Sequence, residues 1–274
     1  MRIKISHKTA YHYGASAKQA IQIVRLTPRA HDGQFIINWR IEVNQDCRLT
    51  EFEDPFGNIV HSFSIDGPFD ELEIGIVGEV ETANTDGLIK GAVERMPLQL
   101  FLRETDLTHA DRKIAAFAEK LRAKHEGQPL QLLHGLLQAV HKKMKFNTTP
   151  TDVTTAAHEA FTHSHGVCQD FAHIFIAAAR YLGIPARYIG GYLWRSDGVE
   201  EQEAGHAWAE AHVPDLGWVA FDPTHGMCAT DAYVRVACGL DYLDVAPVRG
   251  SRIGGGSEDL SVAVHVSQIA QSNQ

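Results

Sequence analysis

The chain has 274 residues, with 25 Lys and Arg against 34 Asp and Glu, a formal charge of −9. That balance weighs against a protein whose affinity comes from neutralising nucleic-acid phosphates or an anionic membrane surface. Hydrophobic residues at 44% and charged residues at 22% suit a globular chain long enough to bury its own core. No run reaches the roughly 18 apolar residues of a membrane span. The opening MRIKISHKTAYHYG alternates like a strand and lacks the apolar stretch of a signal peptide. It predicts a cytoplasmic protein with no removable pro-segment and no membrane partner. Cys47, Cys168, Cys228 and Cys238 form no C-x-x-C pair, so neither a disulfide framework nor a structural zinc site is expected.

Taken in chain order, the first part reads as β structure. Arg2–Ser6, Ile21–Leu26, Phe35–Val43, Leu49–Phe52, Ile59–Ile65 and Leu72–Thr82 alternate, and Asp54-Pro55-Phe56-Gly57-Asn58 carries turn chemistry. This predicts an antiparallel, sandwich-like N-terminal domain over residues 1–88. Helical periodicity follows. Thr105 or Asp106 is the expected cap of a helix through His125, and Pro129 opens a second through Met144. A polar connection, Asn147–Thr155, precedes a third helix over Val167–Leu182, ended by Gly183-Ile184-Pro185. Strands are expected again at Ala186–Trp194, Gly205–Val213, Gly217–Phe221 and Leu260–Ile269. Arg249–Ser257, with three consecutive glycines, reads as a loop. Helices followed by separate strands make the class α+β, with residues 89–274 as the core.

Cys168 stands where the His163-Ser164-His165-Gly166 loop enters an apolar helix. Free N–H groups and the helix dipole there favour a thiolate, the nucleophilic form. A lone cysteine is more often a small packed residue, so the partners decide. A cysteine nucleophile needs a base within reach and a third group to orient that base. His206 lies eight residues before Pro214 and Asp222 five after Gly217, so a hairpin with a modest offset brings the two together. Taken singly, His206 reads as a structural histidine and Asp222, before a proline, as a turn residue.

Gly166-Val167-Cys168-Gln169-Asp170-Phe171-Ala172-His173, with Leu182-Gly183-Ile184-Pro185-Ala186-Arg187-Tyr188, resembles the cysteine segment of the bacterial transglutaminase-like superfamily. Gly205-His206-Ala207-Trp208-Ala209-Glu210 and Gly217-Trp218-Val219-Ala220-Phe221-Asp222-Pro223-Thr224 resemble its histidine and aspartate motifs. Arg25-Leu26-Thr27-Pro28-Arg29 and Asp54–Asn58 are similar to the N-terminal β domain of one bacterial branch. The resemblance implies a papain-like core, its catalytic helix packed on an antiparallel sheet, with Cys168, His206 and Asp222 as the catalytic triad. It further implies a thioester on Cys168, with the Cys168 N–H as one oxyanion donor. The papain pattern has a glutamine shortly before the cysteine; Phe161–His165 has none, so the second donor stays open.

Three neighbours are candidate supports. Asp170 suits the helix dipole or orients a substrate amine; Gln169 anchors the loop or faces substrate; His173 supports the site or packs. Trp208 is read as core, on the strand face opposite His206. Gly190-Gly191 lets a backbone approach the cleft or marks a bulge. The 16 histidines include His163, His165, His206, His212 and His225 around the expected site, yet no metal motif organises them. Neither a metal nor a cofactor is expected. The leading reading is a cysteine peptidase or amidase acting on a peptide or protein substrate through a Cys-His-Asp triad. The alternatives are a transglutaminase-type acyltransferase using a small amine or lysine acceptor, and a non-catalytic binding module on the same scaffold.

Overall fold

Alternating hydrophobicity over the first 80 residues builds one antiparallel sheet in the computed structural model, which describes residues 1–149 and 151–269. Its strands are β1 (Arg2–Thr27), β2 (Gln34–Val43), β3 (Thr50–Glu53) and β4 (Ile59–Thr82). The four segments expected at 2–6, 21–26, 59–65 and 72–82 prove to be two long strands. β1 and β4 pair from Arg2↔Glu81 to Thr27↔Ile59. The pairing slips between His12, Ala17 and Gln19, so the exposed Gly14–Ser16 stretch passes as an irregularity within the ladder rather than a turn. Beyond the slip β4 changes neighbour: β2 flanks its second half and β3 its first. One face carries Ile3, Ile5, Val24, Leu72, Ile74 and Val80, all fully buried.

The chain then adds β5 (Leu88–Ile89) and reaches α1 (Arg112–Arg122), α2 (Pro129–Lys143), β6 (Lys145–Phe146), α3 (Ala157–His163), β7 (His165–Gly166) and α4 (Cys168–Tyr181). α1 starts later than expected because Asp111 is its cap, accepting from the N–H groups of Lys113 and Ile114. Thr105 caps a short 3-10 turn, Asp106–Thr108, instead. α2 opens at Pro129 as expected. α3 falls in a stretch without a predicted element and ends at Ser164 in the left-handed conformation.

The second sheet is β12 (Met227–Cys228), β11 (Gly217–Asp222), β10 (His206–Val213), β8 (Ala186–Leu193) and β13 (Tyr233–Gly239) in spatial order, with β5 on β11. α4 packs on β8 and β10, with α1, α2 and α3 around it. Every residue from Gln169 to Arg180 is buried. Its end follows the glycine rule: Gly183 (φ 79°) lets the Gly183 and Ile184 N–H groups bond back to Arg180 and Ala179. Buried Arg180 ties the helix to Phe101, Ala186 and Leu240 carbonyls. A short α5 (Tyr242–Val245) follows β13.

β9 (Glu201–Gln202), β14 (Val248–Gly254) and β15 (Glu258–Gln268) complete the first sheet. β15 pairs with β1 from Ile3↔Gln268 to Tyr13↔Glu258, so that sheet draws strands from both ends of the chain. The loop reading of Arg249–Ser257 is overturned: Val248–Gly254 pairs with Ala17–Val24, and the three glycines at positive φ form the hairpin bend to β15. No helix among the described residues is long and apolar enough to cross a membrane.

Candidate active site

Cys168 is the first residue of α4 and is half-buried. The N–H groups of a first turn have no intrahelical acceptor, which leaves the Cys168 N–H available as a donor. Asp170 closes that end: its Oδ2 accepts from the Val167 N–H at 2.7 Å and from Thr151 Oγ1 at 2.8 Å. A Cβ on Gly166 would collide with this carboxylate, so the approach requires glycine. Burial pushes the Asp170 pKa up, against the two hydrogen bonds that lower it. Gln169 donates to the Val153 carbonyl at 3.2 Å, tying the preceding connection to the helix start. His173 lies wholly inside; its Nε2 accepts from the Tyr242 N–H at 3.2 Å and its ring sits 4.9 Å from Tyr188. Burial lowers its pKa to about 3, so it is neutral. Of the roles weighed for these three residues, the contacts describe a cap, a loop anchor and a packed helix–strand bridge.

His206 and Asp222 come together as the hairpin predicts. β10 and β11 pair from Val213↔Gly217 to Ala209↔Phe221, turning through Asp215 and Gly217, both at positive φ. In that register Asp222 lies level with Trp208, and His206 reaches it diagonally. His206 Nε2 donates to Asp222 Oδ2 at 2.7 Å, which leaves Nδ1 as the basic nitrogen. Asp222 is fully buried, and 9% of the His206 side chain is exposed. Burial alone disfavours an imidazolium. The Asp222 carboxylate, as charge and acceptor, and the adjacent Cys168 thiol outweigh that and push the His206 pKa up to about 10. Asp222 is likewise buried at a cost, yet His206 and His225 hold it far below the usual carboxylate range.

Two further side chains share the Asp222 carboxylate. His225 Nδ1 donates to Oδ2 at 2.7 Å and the Tyr233 hydroxyl at 2.8 Å, while the Thr224 N–H donates to Oδ1 at 2.8 Å. His225 was legible as a nearby histidine but not as a partner of Asp222. Tyr233 was missed; the alternation Tyr233-Val234-Arg235-Val236 was the available signal of its strand. His206 Nε2, Asp222 Oδ2 and His225 Nδ1 lie within 4.8 Å of one another, a spacing compatible with a metal. Both nitrogens are here hydrogen-bonded to the carboxylate, which accounts for that closeness.

The placement of Trp208 opposite His206 is a misreading of strand period. Residues two apart share a face, and the His206 and Trp208 rings lie 6.1 Å apart and nearly parallel. Trp208 is buried, as expected. Gly191 pairs with His206, and a Cβ there would strike both the Val234 carbonyl and the Trp208 ring. Gly191 thus admits the indole beside His206, and the bulge lies across the ladder in β13, between Arg235 and Ala237.

Residues 115–223 match the family model of the transglutaminase-like superfamily, and residues 3–81 that of the bacterial transglutaminase-like N-terminal region. An uncharacterised Mycobacterium leprae protein is 30% identical over 283 residues, covering 98% of this chain and 99% of its own. A protein-glutamine gamma-glutamyltransferase of Pseudomonas aeruginosa is 30% identical over 168 residues, 54% of this chain and 24% of that protein. A candidate cysteine protease from Cytophaga hutchinsonii has the same fold, with a TM-score of 0.79 and 21% identity over 100% of this chain and 92% of its own. Matched at both regions and along its whole length, the chain belongs to the transglutaminase-like superfamily, in the bacterial branch with the N-terminal β region.

Proposed function

We propose that the protein is a thiol-dependent acyl-transfer enzyme that hydrolyses a peptide, isopeptide or carboxamide bond. The observation that carries this reading is the half-buried Cys168 at the start of α4, adjacent to a histidine that is bonded to a fully buried aspartate. His206 holds the proton given up by the Cys168 thiol, as an imidazolium beside the sulfur, and the sulfur attacks the carbonyl carbon. The C–N bond breaks as the imidazolium returns the proton to the leaving amine. The thioester on Cys168 is then resolved by water, which releases the acid and restores the thiol. The Cys168 N–H supports the oxyanion of both steps. Asp222 fixes the His206 tautomer and compensates the imidazolium charge.

A second reading, transfer of a glutaminyl acyl group to an amine, draws support from the Pseudomonas relative's name. Both reactions share the thioester, and the partition depends on water exclusion and amine binding. The first test is alkylation by iodoacetamide with peptide mapping, in the unaltered chain and in His206→Ala. Preferential alkylation of Cys168 over Cys47, Cys228 and Cys238, lost in His206→Ala, supports the reading. An inert Cys168 would overturn it in favour of a binding module. Glutaminyl peptides incubated with and without an added primary amine then separate hydrolysis from transfer by product mass.

A further inference from the structure

We infer that the N-terminal sheet holds the Asp222 carboxylate in place through β13, with Tyr233 as the positioning residue. The inference rests on the proposed role of Asp222 in the triad. β13 pairs with β8 along one side, and among the described residues no strand pairs with its other side. Two buried primary amides from the N-terminal region occupy that edge. Gln34 Nε2 donates to the Arg235 carbonyl at 2.8 Å, and its Oε1 accepts from the Arg235 N–H at 2.8 Å. Asn58 Nδ2 donates to the Cys238 carbonyl at 2.8 Å, and its Oδ1 accepts from the Cys238 N–H at 2.8 Å. Each amide reproduces the two-bond exchange of a paired strand residue.

Both amides are themselves fixed. Gln34 Nε2 also donates to the Arg29 carbonyl, and Asn58 Nδ2 to Asp54 Oδ2, which accepts from Arg25 Nε at 3.1 Å. The two N-terminal motifs, Arg25–Arg29 and Asp54–Asn58, therefore converge on this edge, a role the triad chemistry leaves them free to take. The pins at Arg235 and Cys238 also straddle the β13 bulge between Arg235 and Ala237, where a strand is otherwise able to slip. Two residues before the first pin, buried Tyr233 donates to the carboxylate oxygen that His206 uses. A slip of β13 displaces that phenol, and with it the Asp222–His206 geometry.

The test compares Tyr233→Phe, which removes one donor, with Gln34→Met, which removes the first pin while keeping its volume. Two readouts are taken: the rate of Cys168 alkylation by iodoacetamide, and the proton resonance of the His206 Nε2–H, identified by its loss in His206→Ala. Each variant is expected to slow alkylation roughly tenfold and to shift the resonance. The double variant should fall within about twofold of Tyr233→Phe alone, because both changes act through one hydrogen bond. Gln34→Glu, which keeps only the bond from the Arg235 N–H, replaces Gln34→Met if the latter does not fold. An unchanged resonance and rate in a folded Gln34 variant overturns the inference and leaves the proposed function standing. Additive losses that track a lowered unfolding midpoint overturn it as well. If His206→Ala leaves alkylation unchanged, the proposed function falls, and the resonance decides the inference.

Discussion

Two carboxylates on neighbouring strands of one sheet are fully buried and satisfied by side-chain donors, yet they are built for different ends. Glu210 on β10 accepts from Arg187 Nε at 2.5 Å and Arg235 Nε at 2.8 Å. Asp222 on β11 accepts from His206, His225 and Tyr233. Burial opposes both charges, and in both the donors prevail: the arginines hold Glu210 at about 2, and the histidines hold Asp222 lower still. The difference lies in the protons. Guanidinium keeps its protons at any physiological pH, so the Glu210 cluster is a fixed joint, with Arg187 also stacked 3.9 Å from the Trp218 ring. Imidazole exchanges its proton, so the Asp222 cluster can take part in chemistry. Burial and satisfied hydrogen bonding alone do not distinguish the two carboxylates; the titratability of their partners does.

Perturbing each cluster separates the two roles. Under the proposed function the largest effect is expected at the Asp222 cluster: His206→Ala should slow Cys168 alkylation on the order of a hundredfold at neutral pH, and Asp222→Asn should act in the same direction. Glu210→Gln should leave the rate within about twofold, and a large drop there would erase the distinction. The stability ranking reverses. Glu210→Gln leaves Arg235 without a carboxylate partner and buried Arg187 with Glu94 alone, and should cost about 3–5 kcal/mol in urea unfolding; Asp222→Asn should cost less, because its histidine partners can lose their protons.

pH sharpens the contrast. His206 binds its proton up to about 10 when folded, against 6.5 for an ordinary histidine. Between those values the folded chain holds a proton that the unfolded chain has released. Its stabilising contribution is therefore complete below 6.5 and falls as pH rises toward 10. The Asp222 contribution runs the other way, present above the ordinary carboxylate range and lost in strong acid. Asp222→Asn should flatten the alkaline decline in denaturation midpoint, whereas Glu210→Gln should leave its slope in place. Within the Asp222 cluster the smallest effect belongs to His225, whose side chain is 40% exposed. His225→Ala should slow alkylation only about threefold, since water replaces its bond to Asp222.

Legibility followed the same physical division. The start and end of α4, its Gly183 stop and the β10–β11 hairpin were readable, because capping, glycine conformation and alternation act over a few residues. The fusion of four expected strands into β1 and β4 was not, because the irregularity at Gly14–Ser16 interrupts the alternation without ending the ladder. Nor was β14: a glycine-rich segment has no hydrophobic pattern of its own, and its strand form comes from the edge of β1. Trp208 was misassigned through an error in counting strand period, which the sequence itself could have corrected.

By itself, the sequence determined the α+β class, the membership signalled by three motifs, and the identity of Cys168, His206 and Asp222 as a candidate set. Those are properties of local pattern and residue chemistry. Tertiary structure alone decided that Tyr233 and His225 share the Asp222 carboxylate, that Gln34 and Asn58 hold the edge of β13, and that β15 returns to β1. Gln34 and Arg235 lie 201 positions apart in the chain. A hydrogen bond across that distance leaves no local periodicity, because its partners are selected by the packing of two sheets rather than by neighbours in sequence.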